Sequence, residues 1–110
     1  MKLPFDHKES IQKMRKYELM TVFTTEEDKF KAASESLRSV LANFGATIDK
    51  EESYGDRDLT YVIDKQNRGR FILFTVSANP AKISEIENQF KLTKNLLKWL
   101  FVKLEEEKKN

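Results

Sequence analysis

The chain has 110 residues, with 20 Lys or Arg against 18 Asp or Glu and a formal net charge of +2. That length fits one domain with a small core, and 39% hydrophobic with 35% charged residues is the balance of a globular protein in water. The absence of cysteine excludes disulfides, thiolate zinc sites and cysteine nucleophiles.

No apolar run is long enough to cross a bilayer, and the opening MKLPFDHKES lacks the apolar stretch of a signal peptide, so the expected compartment is the cytoplasm. Residues 1–13 are polar and without periodicity, and read as a flexible N-terminal extension. A single domain is expected over 14–104, followed by a charged tail over 105–110. Within the domain, Lys16 to Phe23 (KYELMTVF) suits a strand, apolar at Tyr17, Leu19 and Phe23, with Met20 and Val22 making the other face partly apolar. Thr24-Thr25-Glu26-Glu27-Asp28 then starts a helix, with a threonine cap and acids complementing the helix dipole. Phe30, Ala33, Leu37, Val40, Leu41 and Phe44 recur at helical spacing, and Gly45 stands where a left-handed residue ends a helix.

Thr47 to Ser53 is a polar strand segment, Tyr54-Gly55-Asp56-Arg57 reads as a turn or bulge, and Leu59 to Ile63 resumes the strand. Asp64 to Gly69 (DKQNRG) reads as a hairpin connection leading into a strand over Arg70 to Ser77. Asn79-Pro80 opens a second helix carried by Ile83, Ile86 and Phe90, and Leu96 to Leu104 is a last strand. The order strand, helix, strand, strand, helix, strand predicts an α+β fold, the ferredoxin-like βαββαβ arrangement. Its antiparallel sheet of four strands would carry both helices on one face. The other face would then expose apolar residues on the third and fourth strands, which points to a covering protein or RNA partner ahead of the alternative that the tail or the N-terminal extension folds over it.

The chemistry available is thin. His7, the only histidine, falls in the unpatterned extension. The acidic groups read as a helix start, a solvated strand edge and a tail rather than paired buried carboxylates. With no glycine-rich phosphate cradle either, the chain is expected to be no enzyme, with no cofactor, metal or small-molecule substrate. The basic residues say more. Arg15 and Lys16 open the first strand, and Arg57, Lys65, Arg68 and Arg70 gather around the hairpin, interleaved with Tyr17, Tyr54, Tyr61 and Phe71. Cations with aromatics nearby fit an RNA-binding footprint and, equally on composition alone, a solvated set of lysines and arginines with the aromatics in the core. The stretch RGRFILF, Arg68 to Phe74, resembles the octapeptide with which RNA-recognition modules stack bases, but it is one residue short. That puts Phe71 and Phe74 on opposite faces, where they cannot form one stacking platform.

Met14-Arg15-Lys16-Tyr17-Glu18-Leu19, Phe44-Gly45-Ala46, Gly55-x-Arg57-x-Leu59-x-Tyr61-x-Ile63-x-Lys65 and Gly69-x-Phe71 together resemble the bacterial small-subunit ribosomal protein six family, from Met14 to about Lys103. The resemblance implies a ribosomal protein that binds the central domain of small-subunit ribosomal RNA as a heterodimer with the small, basic ribosomal protein eighteen. It also implies RNA contacts at Arg15, Tyr17 and Arg57, with Lys16, Lys65, Arg68 and Arg70 as further candidates. For the protein partner it implies Leu59, Tyr61, Phe71, Leu73 and Leu100. The family commonly has Ala-Tyr-Pro-Ile where this chain has Thr60-Tyr61-Val62-Ile63, and losing the proline predicts a more regular strand there. A net charge of only +2 suits a protein that shares its phosphate contacts with a basic partner. Two alternatives stand beside this reading: a free-standing module for single-stranded RNA, and a dimeric ferredoxin-like sensor or enzyme.

Overall fold

The computed structural model of the chain describes residues 14–104; the predicted extension with His7 and the predicted tail lie outside the described residues. The elements follow the expected order: β1 (Arg15–Phe23), α1 (Glu27–Asn43), β2 (Thr47–Ile63), β3 (Gln66–Ala78), a 3-10 turn (Pro80–Lys82), α2 (Ile83–Phe90) and β4 (Leu96–Lys103). The strands form one sheet in the order β2-β3-β1-β4, with every neighbouring pair antiparallel. This is the ferredoxin-like arrangement predicted from the element order.

Alternation along each strand sorts its side chains. Tyr17, Leu19, Phe23, Ile72, Phe74, Val76 and Ala78 point to one side, where α1 contributes Ala33, Leu37 and Leu41 and α2 contributes Ile86 and Phe90. Trp99 and Phe101 of β4 pack against the edge of this core, with the Phe101 ring parallel to that of Phe90 and edge-on to Tyr17. Leu19, Phe23, Leu37, Phe74, Ile86 and Phe90 are wholly buried. Each such side chain is worth about 1.5–3 kcal/mol of transfer free energy, so this layer is the main source of stability. The wholly buried Thr21 hydroxyl donates to the Ile72 carbonyl oxygen at 2.7 Å.

Four local expectations are revised. The N-cap of α1 is Glu26, which makes no side-chain capping bond, while the Thr24 hydroxyl turns away to Gln66 at 3.0 Å. The two segments read around Tyr54–Arg57 are one strand of 17 residues, interrupted by bulges, with Gly55 at φ 83. The β2–β3 connection is only Asp64-Lys65, because Ile63 already pairs with Gln66. Gly69 is therefore no hairpin glycine but a residue inside β3. A Cβ there would collide with Cγ1 of Val22 and meet Cδ2 of Leu59 at 3.2 Å. Finally, the segment lacking the family's proline is not a regular ladder. Between the pairs Asp58↔Arg68 and Ile63↔Gln66, four residues of β2 oppose one of β3. Restoring an N–H permits pairing without enforcing it, and the mismatched lengths of the two strands push residues 59–62 outward.

Candidate nucleic-acid interface and partner face

The predicted cations fall at two ends of the sheet. Arg15 pairs with Ala78 at one end of β1, whereas Arg57 pairs with Gly69 beyond the other. Those rows lie nine residue steps apart along β3, from Gly69 to Ala78, roughly 30 Å of strand. At the first end Lys16 bonds Asp49 at 3.0 Å, and both Ser77 and Lys16 hold the Asp49 carboxyl below the usual carboxylate range. Arg15 makes no ion pair among the described residues. Tyr17 is 6% exposed, with its ring in the core, so the expected RNA contact is corrected to a packing role.

At the second end, β2 and β3 run past β1, whose last row with β3 is Phe23↔Arg70. The projecting hairpin arm carries Arg57, Lys65 and Arg68, with Arg70 at its root. Arg70 is committed within the fold. It donates from Nε to Asp56 at 2.8 Å and from Nη1 to Glu27 at 2.9 Å, and its guanidinium lies 4.6 Å from the centre of the Phe30 ring. These bonds raise its own pKa further and leave its side chain 19% exposed. The expectation of Arg70 as a phosphate-reaching group at the hairpin tip is corrected accordingly. Arg68 is paired with Asp58 at 3.3 Å, an exposed contact that a phosphate could displace at small cost. Arg57 donates to the Tyr54 carbonyl at 3.0 Å, and neither it nor Lys65 forms an ion pair among the described residues.

The sheet face away from the helices is organised in cross-strand rows. One row runs Gly55, Phe71, Val22, Lys98; the next runs Glu52, Leu73, Met20, Leu100; a third runs Lys50, Thr75, Glu18, Val102. The middle of the face is thus apolar, from Phe71 and Val22 through Leu73 and Met20 to Leu100, with charges around it at Glu52 and Lys50 of β2, Glu18 of β1 and Lys98 of β4. Leu100 is 59% exposed and Val102 46%. Beside the first row, the outward segment of β2 presents Tyr61 at 73% and Val62 at 65%. Together with Val22, Leu59, Ile63, Phe71 and Lys98, Tyr61 lines a concavity of about 410 Å³. The five predicted partner residues therefore share one face, with Leu59, Tyr61 and Phe71 in a single concavity. Val62 and Lys98 were not singled out from the sequence. Val62 looks like an ordinary strand residue there, and only the register irregularity exposes it. Among those rows Phe71 is the only aromatic residue, which gives no platform of successive stacked bases.

Among the described residues no group of three His, Asp or Glu could hold a metal ion, and no helix is long and apolar enough to cross a membrane. A family model, ribosomal protein S6, matches residues 16–103. The small ribosomal subunit protein bS6 of Treponema denticola is 52% identical over 93 residues, covering 84% of this chain and all of that protein. The proteins of the same name from Treponema pallidum (strain Nichols) and Fusobacterium nucleatum are 41% and 33% identical, covering 84% and 82% of this chain and 99% and 98% of their own. Among solved structures, the 30S ribosomal protein S6 of Thermotoga maritima superposes with a TM-score of 0.73 at 24% identity, over 84% of this chain and 89% of that one. The relatives are structural proteins of the ribosome, not enzymes. Sequence motifs, fold and near-complete mutual coverage agree, and the chain belongs to the ribosomal protein S6 family.

Proposed function

We propose that this chain is a structural component of the small ribosomal subunit in the cytoplasm, binding the central domain of small-subunit ribosomal RNA jointly with the small, basic ribosomal protein eighteen. The observation that carries the reading is the apolar centre of the sheet face away from the helices, where Phe71, Leu73 and Met20 are partly exposed and Leu100 is 59% exposed among the described residues, beside a hairpin arm that carries Arg57, Lys65 and Arg68. Contiguous apolar rows of this kind favour a protein partner. The border on the β1 and β2 side is mixed in sign, with Asp49 paired to Lys16 and Glu52 to Lys50, while Glu18 forms no ion pair among the described residues and suits a basic group of the partner. A net charge of +2 is small for a protein that holds RNA alone, and a basic partner supplies the remaining phosphate contacts.

The test is binding of a central-domain RNA fragment by the chain with and without the partner. Weak binding alone and a strong gain with the partner are expected; equally strong binding without it sinks the joint reading. With the partner present, Arg57→Glu should weaken the complex and make the salt dependence shallower by roughly 1 in slope. An unchanged slope removes Arg57 from the interface.

A further inference from the structure

At the tip of the hairpin arm, Asp64 and Lys65 form the two-residue connection, with φ of 49 and 65. Two successive left-handed residues make the turn that suits the twist of a tight hairpin, and its second position strongly prefers glycine. Elsewhere the chain meets this demand with residues that tolerate it. Gly45 and Gly55 occupy left-handed positions at φ 77 and 83, Asn95 another at φ 69, and Asp64 is itself among the tolerated types. Among the described residues Lys65 is the single left-handed residue that is neither glycine, asparagine nor aspartate. A side chain is kept where the backbone asks for none.

Two further observations say what that side chain is for. The tip stands beyond the last row with β1 by the stretch from Arg70 to Gln66, roughly 13 Å of strand, so Lys65 reaches out past the body of the sheet. Yet the arm is held firmly at its root. Arg70 ties β3 to Asp56 of β2 and to Glu27 of α1, and the bare backbone at Gly69 lets Val22 and Leu59 close on it. The root of the arm is thus anchored, and beyond the irregular stretch of β2 the pair Ile63↔Gln66 closes the hairpin beneath Lys65. That charge is also uncommitted: Arg68 and Arg70 are paired within the arm, while Lys65 has no ion pair or side-chain hydrogen bond among the described residues.

We infer that Lys65 is a phosphate contact for RNA at the tip of an arm anchored at its root, placed there against the conformational preference of its own backbone. The inference rests on the RNA-binding reading above and deepens it by naming the contact. Partial neutralisation of a backbone phosphate by one lysine adds affinity without base selectivity.

The experiment compares the full chain with Lys65→Gly and Lys65→Arg. Urea unfolding is measured for each, together with binding to the central-domain RNA fragment plus the basic partner across a salt series. Lys65→Gly should unfold at higher urea yet bind the RNA several-fold more weakly, with the salt slope shallower by about 1, whereas Lys65→Arg should keep the slope. A purely structural residue would not move stability and binding in opposite directions. Lys65→Gly with unchanged affinity and slope overturns the inference, and so does a Lys65→Gly chain less stable than the parent, because the backbone penalty would then not exist. Failure of the parent chain itself to bind RNA with the partner defeats the functional reading first, so the two failures are told apart.

Discussion

Arg70 lies where three elements meet. Its guanidinium bridges Asp56, 14 residues away, and Glu27, 43 residues away, while stacking over Phe30. The hydrogen bond from Arg70 is the main reason the Asp56 carboxyl is held below its ordinary value of 3.8. The folded pKa is thus lower than the unfolded one. The stabilisation is fully present above the unfolded value and is lost as pH falls through the folded one. Because Asp56 is partly solvated, screening keeps the pair modest. Asp56→Asn should therefore cost about 1 kcal/mol at neutral pH by urea unfolding, with the gap to the parent chain closing as pH drops below 3.8. A gap that stays constant into acid would mean that the carboxylate charge contributes nothing. In the sequence Arg70 looks like its neighbour Arg68, since both are cations in a turn-rich stretch. Both point to the same side of the sheet and face an aspartate of β2; what separates them is position along the arm, because Arg70 lies in the last row with β1, within reach of Glu27 and Phe30 of α1, and Arg68 lies beyond it.

At the scale of elements, the local signals served the helices and the central strands well. Phe30, Ala33, Leu37 and Leu41 do form the buried stripe of α1, and Ile72, Phe74 and Val76 do lie beneath the helices, leaving Phe71 and Leu73 on the open side. The β2–β3 arm was less legible, because glycines and polar residues read as a turn wherever they cluster. Gly69 is required for a different reason, the close packing of Val22 and Leu59 against its backbone. Gly69→Ala should destabilise the chain by about 1–3 kcal/mol through overpacking. Val22→Ala would open the space, so the double substitution should cost less than the sum of the two singles in denaturant unfolding. Strict additivity would place the penalty in the backbone rather than in the contact with Val22.

For the whole molecule, the sheet has one face spent on stability and one held in reserve. Leu100 is more than half exposed, so Leu100→Ser should change unfolding free energy by no more than about 0.5 kcal/mol. Calorimetric titration with the basic partner should nevertheless show weaker binding, because an apolar contact in the uncovered rows is lost. Unchanged affinity would place the partner off that part of the sheet.

The order of elements, the two helices and the inward faces of β1 and β3 are written in local periodicity, since 3.6-residue and two-residue repeats need only neighbours in the chain to be read. The same local reading, with the quoted family motifs, reached the ribosomal protein family; that Leu59, Tyr61 and Phe71 line one concavity is a fact of the tertiary structure. Only the tertiary structure decided which cations are spoken for, that Tyr17 belongs to the core, and that the turn is two residues long with Lys65 held left-handed at its tip. Those properties depend on register between strands and on contacts across 14 to 43 residues of chain, which no window of sequence contains.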